Sequence, residues 1–348
     1  MLVCVTGGTG FVGAHSVASI LRRGHRVRLL VRDESTVDPT LAPLGIPPGA
    51  ADVVRGDVLD EASVARAVRG ADTVLHAAAV YTFDPRRRAD MARTNELGTE
   101  VVLAHARRAD VARIVHVSSV AALFDPLSTL NSRPLEPGSP VGRAREPYLA
   151  SKAAAERVAR RHQADGAPVA ISYPPALLGP HDPKLGDQTG RLRDVLRGLA
   201  PIWPLGGFPL GDVRDTAAVH AWLATGAGPD RVFGPGRYLT TRQYLRALRE
   251  VTGRALPAIH LPARALLPVG RLAGLVQRSW PRHIPVEHGA IYTCACATRV
   301  SETAPTGGLA PRPATQTFAD TVAWLHRAGH VTERAAGLAA RRHADVPL

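Results

Sequence analysis

Residues 2–23 read as one strand–turn–helix unit, and no other stretch limits the fold as tightly. Leu2-Val3-Cys4-Val5 is an apolar run of the length of a buried strand. Thr6-Gly7-Gly8-Thr9-Gly10-Phe11-Val12-Gly13 follows, with Gly7, Gly10 and Gly13 three residues apart, and the helix predicted over 11–23 is ended by Gly24. In such a unit Gly7 permits the tight bend and Gly10 lets backbone amides approach an anion. Gly13 lets the helix pack close on the strand. A pyrophosphate at the helix N-terminus would meet free N–H groups and a favourable dipole. Taken alone, the cluster fits a bare turn as well as it fits a phosphate cradle.

The remainder of the first half continues in the same rhythm. Strands are predicted at 26–31, 53–54, 73–77, 113–118 and 168–173, and helices at 60–69, 87–108 and 147–163. Strands alternating with helices imply right-handed crossovers and an α/β fold of the Rossmann type, a doubly wound parallel sheet. After residue 174 proline and glycine rise. "GLAPIWPLGGFPLG" (198–211) reads as an irregular apolar segment suited to lining a pocket. Helices are predicted again at 212–225, 241–252, 262–276 and 315–328. The expected organisation is a dinucleotide-binding domain over 1–174, with 212–235 returning to it. A smaller, irregular substrate-binding domain covers 175–211 and 236–330, and a tail covers 331–348, expected to fray from 333.

The net charge of +13 among 348 residues suggests nucleic acid at first sight. Its distribution argues otherwise. The cations are arginines scattered along the chain, with lysine only at Lys152 and Lys184, and aromatics are 5%. The doublets Arg22-Arg23, Arg107-Arg108 and Arg160-Arg161 fall near predicted helix C-termini, where cations suit the dipole. Arg86-Arg87-Arg88 reads as a solvated face. Cys4, Cys294 and Cys296 are too few for a disulfide framework and fit a reducing compartment. The last two would share one side of a strand, yet without further ligands they make no zinc site, so no metal is expected. The chain enters a strand at once, so no secretory leader is expected, and no apolar run spans a membrane. A cytoplasmic monomer or homodimer is the expectation.

Chemistry concentrates at the predicted C-terminal strand ends. Arg32 follows strand two, where a guanidinium would accommodate a 2′-phosphate, and Arg28 on the same strand face would assist. Asp33 stands one residue on, where a carboxylate would favour a free ribose hydroxyl. Asp57, in "RGDVLD", either accepts from an adenine amino group or caps a helix. "HAAA" (76–79) offers small residues past which a cofactor backbone can run, with His76 read as a packed side chain. Tyr148 and Lys152 lie at i and i+4 on one helix face. An ammonium there would lower the phenol's pKa and make it a proton donor and acceptor. Ser118 and Ser119 end strand five, where a serine can bond a substrate oxygen.

These elements together resemble the extended short-chain dehydrogenase/reductases of the NAD-dependent epimerase/dehydratase superfamily. "TGGTGFVG", "GDVLD", "HAAA", "TNELGT", "VSS", "YLASK" and "YPPALLGPHDP" stand in family order, and the resemblance covers roughly 1–330. "VRD" after strand two and "VAWLHRAGHV" (322–331) are similar to the dihydroflavonol-reductase-like and hydroxysteroid-dehydrogenase-like branch. The resemblance implies Tyr148 as acid/base, with Lys152 holding the nicotinamide ribose. It implies Ser119 as the catalytic serine, with Ser118 the fallback. It implies a cofactor site built on Thr6, Gly7, Gly10, Phe11, Val12 and Gly13. Arg32, Asp57, Val58, Ala77, Ala78 and Pro174 complete that site beside Lys152. Asn95 has a structural role, and 179–183 opens the substrate loop. Nucleotide-sugar dehydratases carry an Asp-Glu pair after the serine or threonine, whereas Val120 and Ala121 stand here.

The function expected is reduction of a ketone or aldehyde with NADPH, or the reverse oxidation, on a hydrophobic small molecule. NADP(H) is expected over NAD(H). The substrate pocket is expected from 175–211 and 255–296. The alternatives are a nucleotide-sugar epimerase with tightly held NAD and a non-catalytic NADP-binding sensor.

Overall fold

The computed structural model describes residues 1–126, 133–226, 228–277, 288–301 and 308–341. The first half contains β1 (Leu2–Thr6), α1 (Phe11–Arg22), β2 (Arg26–Val31), α2 (Val37–Leu41), β3 (Asp52–Arg55), α3 (Glu61–Val68) and β4 (Thr73–His76). It continues with α4 (Arg88–Arg108), β5 (Arg113–Val117), α5 (Pro147–Ala164) and β6 (Val169–Tyr173). The second half runs β7 (Ala176–Leu178), α6 (Asp187–Leu196), β8 (Ile202–Leu205), β9 (Gly207–Asp212), α7 (Val213–Ala224), β10 (Arg231–Phe233) and β11 (Arg237–Thr240). Then come α8 (Thr241–Thr252), β12 (Ile259–Pro262), α9 (Ala263–Gln277), α10 (His288–Cys296), α11 (Ala314–Arg327) and α12 (Glu333–Ala336).

Seven strands form one parallel sheet in the order β10-β6-β5-β4-β1-β2-β3. This is the doubly wound Rossmann arrangement, and its order reverses between β1 and β4. Val3 is fixed between Val27 and Thr73, and Thr6 between Leu30 and His76. Side chains alternate across the pleat. Val3, Val5, Leu29 and Leu75 meet the apolar faces of α1 and α7, including Val17, Ile20 and Val219. Cys4, Leu30, Val74 and Ile114 meet the opposite layer, including Val64 of α3, Val102 of α4 and Ala159 of α5. Both faces are therefore covered, which a parallel sheet requires. β10 pairs β6, and α7 packs on α1, so residues around 213–233 rejoin this sheet.

Beyond β6 lie a three-stranded sheet, β11-β9-β7, and the two-stranded pair β12-β8. Residues 198–211, expected to be irregular, supply β8 and most of β9. Pro204 is tolerated because β8 pairs on one side only. Gly206 makes the break between the strands: a Cβ there would lie 2.1 Å from the Cys294 carbonyl oxygen.

Two other expectations are corrected. Cys294 and Cys296 lie on α10, not on a strand; both are buried free thiols. The tail does not fray from 333: Ala335, Ala336 and Ala339 are buried, and Arg254 Nη1 donates to the Ala335 carbonyl oxygen at 2.7 Å. Alanines are small enough to tuck beneath α8, where propensity alone suggested only a loose end. Residues 342–348 lie outside the described residues.

Candidate active site

The glycine cluster makes a closed turn. Gly10 N–H donates to the Gly7 carbonyl at 3.0 Å, and Ala14 N–H to the Gly10 carbonyl at 2.8 Å, so Gly10 is the N-cap of α1. Gly7 has φ 76°, and a Cβ there would stand 2.6 Å from the Ala78 nitrogen. A Cβ on Gly13 would stand 2.1 Å from the Gly7 oxygen. Only glycine therefore brings the helix start and the β4 end this close. No side chain caps α1, and no acidic residue occupies its first turn. Its leading N–H groups, at Phe11, Val12 and Gly13, suit an anion.

Thr6 and His76 hold the cradle from below. Thr99 donates to the Asn95 carbonyl oxygen at 2.7 Å, so His76 Nε2 donates to Thr99 at 3.1 Å. His76 Nδ1 then accepts from Thr6 Oγ1 at 2.7 Å, and Ala78 N–H donates to Thr6 Oγ1 at 3.3 Å. These directions require a neutral ring. Burial holds His76 down to about 3, and the Lys152 ammonium adds to the effect. The packed reading of His76 agrees with this, and the Thr6 hydroxyl is spent within the protein.

Arg32 is exposed just past β2 and makes no hydrogen bond or ion pair among the described residues. Asp33 beside it is engaged locally, accepting from Ser35 N–H at 3.0 Å and Ser35 Oγ at 2.7 Å. Arg28 does not join Arg32. Its guanidinium donates to the Ala67 and Arg69 carbonyls at 3.0 and 2.7 Å, closing the C-terminal end of α3. The strand pleat turns it toward that helix. Asp57 accepts from Leu59 N–H at 2.9 Å, closing the turn before α3, while Asp60 caps the helix. Val58 is buried, close against Gly98.

At the far side of the sheet edge, Ser119 follows β5 and accepts from Ala121 N–H at 3.2 Å. Its hydroxyl faces the Tyr148 phenol closely enough to lower the phenol's pKa. Ser118 is buried, its hydroxyl without a partner, and its N–H donates to Ser172 at 2.9 Å. The pair is thus split by strand alternation, with only Ser119 at the tyrosine. Val120 N–H donates to the Pro174 carbonyl at 3.0 Å, which holds the ends of β5 and β6 together.

Tyr148 and Lys152 ride on α5, which Glu146 caps by accepting from Tyr148 and Leu149 N–H at 2.9 and 3.1 Å. Asn95 on α4 fixes the facing wall. It accepts from Val80 N–H at 2.8 Å and donates to Val80 O and Ser151 Oγ, each at 3.0 Å. Lys152 is buried, and desolvation pulls it down to about 8 against the pull of Glu156. It keeps its proton at neutral pH. Tyr148 departs from expectation: burial pushes its phenol up, the nearby Ser119 hydroxyl pulls it down, and the Glu146 and Asp187 carboxylates push it up further. Burial outweighs the lowering that the lysine spacing alone suggested.

Sequence reading missed the aromatic wall. Tyr81 and Phe83 stand against Tyr148 at ring-centroid distances of 4.6 and 5.7 Å, both edge to face. Gln188 donates to the Tyr81 hydroxyl at 3.2 Å and Asp187 accepts from Phe83 N–H at 3.2 Å, so α6 steadies this wall. α10 presses on it from outside, since a Cβ on Gly289 would lie 2.0 Å from the Phe83 ring. The i, i+2 aromatics of "VYTF" were the available signal. Part of the expected pocket, 278–287, lies outside the described residues. No metal-ligating cluster occurs among the described residues, and no helix among them is long and apolar enough to cross a membrane.

Known proteins share this sequence pattern and fold. Residues 3–233 match the model of the NAD dependent epimerase/dehydratase family. The chain is 31% identical over 343 residues to "Sterol demethylase protein B" of Methylococcus capsulatus, covering 95% of this chain and 100% of that one. It is 31% identical over 345 residues to "Putative dihydroflavonol 4-reductase" of Synechocystis, covering 94% and 95%. Among solved structures it superposes on DesIV, a dTDP-glucose 4,6-dehydratase from Streptomyces venezuelae with NAD bound. The TM-score is 0.61 and the identity 27%, over 75% of this chain and 84% of that one. The chain belongs to the NAD dependent epimerase/dehydratase family and is an NAD(P)-dependent oxidoreductase of the extended short-chain dehydrogenase/reductase type.

Proposed function

We propose that the protein reduces a ketone or aldehyde on a hydrophobic small molecule with NADPH, and catalyses the reverse oxidation. The observation that carries this reading is the approach of the Ser119 hydroxyl to the Tyr148 phenol, one helical turn from buried Lys152. The three groups stand at the C-terminal sheet edge, where open α/β sheets bind ligands.

The cradle of Gly7, Gly10 and Gly13 would hold the pyrophosphate, and Lys152 the nicotinamide ribose. Ala77, Ala78 and Pro174 would border the cofactor's path, and Asp57 with Val58 the adenine. Unpartnered Arg32 would take the 2′-phosphate, which favours NADP(H). A reduced nicotinamide bound there supplies the hydride. Tyr148, held protonated by burial, gives its proton to the carbonyl oxygen, and Ser119 orients that oxygen. The Lys152 charge supports the phenolate left behind. Tyr81 and Phe83 give the acid an apolar surround, which suits an aromatic, polyketide-like or steroid-like carbonyl better than a sugar nucleotide. With Val120 and Ala121 after Ser119, the acid–base pair of a sugar dehydratase is missing.

The test is NADPH and NADH oxidation against a panel of hydrophobic carbonyls and nucleotide sugars. Turnover of a hydrophobic carbonyl, faster with NADPH, is the expected result. Tightly retained NAD with interconversion of nucleotide sugars would replace this reading by an epimerase. NADPH binding without turnover would leave a sensor.

A further inference from the structure

Helix α9 is built inside out. Its inner side, through Gly270, packs on α10: a Cβ there would meet the His288 backbone at 2.9 Å and Ile291 at 3.0 Å. Its outer side is apolar. Val269, Leu272, Leu275 and Val276 recur at helical spacing, and Leu272 and Leu275 are 62% and 58% exposed. A surface helix normally shows the reverse pattern. The adjoining pair β12–β8 adds Ile259 and Ile202, opposite each other in register and 59% and 54% exposed. An apolar surface of this kind marks an interaction site.

Charge identifies the occupant. Arg264 and Arg271 are exposed two turns apart, along one edge of the stripe. Between Glu250 and Glu287 the sequence has no carboxylate, and it carries Arg254, Arg264, Arg271, Arg278 and Arg282. His260 is held down by burial and by Arg242 and Arg249, and His288 by burial and by Arg271 and Arg88, as expected in a positive field. A second copy docked here would set arginine against arginine, with no acid among the described residues of α9 and β12 to answer it. A surface with an apolar interior and anionic rim answers both features. Leucine and valine on one face with arginine at its edge is how helices lie in a bilayer interface.

We propose that α9, with the β12–β8 pair beside it, docks the protein on anionic lipid bilayers. The helix lies in the interface plane with Leu272 and Leu275 among the acyl chains and Arg264 and Arg271 at the phosphates. The contact is peripheral. α10 joins this surface to Phe83 and so to Tyr148, which places the bilayer beside the site that takes an apolar substrate.

The test is flotation of the full chain with phosphatidylcholine vesicles, with and without phosphatidylglycerol. Wild type should float with the anionic vesicles at least roughly tenfold more than with the neutral ones. Leu272→Glu/Leu275→Glu should stay at the bottom, and Arg264→Gln/Arg271→Gln should lose the preference for phosphatidylglycerol. If the double glutamate variant does not fold, Leu275→Cys carrying an environment-sensitive dye replaces it, because the native thiols are buried. Its emission should shift to the blue on adding anionic vesicles. Absence of flotation, flotation of the glutamate variant like wild type, or a dye that does not shift overturns the proposal. So does light scattering that shows a dimer lost in the glutamate variant without any vesicle binding.

Discussion

Tyr81 stands edge to face on Tyr148 with ring centroids 4.6 Å apart. The two come from opposite walls, one after β4 and one at the start of α5, so Tyr148, the proposed acid, is enclosed by a neighbour it does not share an element with. Tyr81→Ala removes that wall. It should raise KM for a hydrophobic carbonyl about tenfold, the value of roughly 1.4 kcal/mol of lost apolar contact, and leave NADPH affinity unchanged. Steady-state kinetics beside a cofactor titration separate the two effects.

Arg32 is the residue proposed to decide between the cofactors. A guanidinium on a phosphate contributes about 1.5–3 kcal/mol, so Arg32→Asp should weaken NADPH roughly 10- to 100-fold and leave NADH within about threefold. Fluorescence titration with both cofactors measures this. Equal losses would remove Arg32 from the 2′-phosphate.

Gly13→Ala tests the cradle as a packing constraint. The added methyl would meet the Gly7 oxygen at 2.1 Å, so the loop must shift. A cost of about 1–3 kcal/mol in unfolding free energy and loss of cofactor binding should appear together. Urea unfolding and cofactor titration read them.

The buried histidines set an acid limit. His76 and His220 are held down to about 3 and His15 to about 4, each mainly by desolvation. All three are neutral when folded and take up protons on unfolding below about 6.5. Their contribution is complete above that pH and is lost as pH falls toward the folded values. Between pH 6.5 and 5 each should cost about 2 kcal/mol. Urea midpoints measured across that range should fall steeply; a flat profile would contradict neutral burial.

The first half of the fold was legible because each strand there is an apolar run and each helix keeps its own period. Residues 198–211 were not. β8 and β9 depend on β12, β11 and β7 for pairing, and Pro204 and Gly206 read locally as breakers. α10 was missed because a short run holding Cys294 and Cys296 carries no periodicity of its own. In the site, the tyrosine–lysine spacing and the glycine cluster carry their geometry in sequence. Tyr81 and Phe83 do not, because they reach Tyr148 only through the approach of α4 and α5. The Arg28 contacts with α3 were hidden for the same reason. The direction of the Tyr148 shift was misread because burial belongs to the folded chain and not to the spacing.

The central claim is that Tyr148 protonates a carbonyl at this site. NADPH oxidation by wild type and Tyr148→Phe, on the best substrate of the carbonyl panel, tests it most directly. Loss of a general acid should lower kcat by about 10²- to 10⁴-fold while NADPH affinity stays unchanged. A Tyr148→Phe enzyme that keeps wild-type kcat would contradict the account.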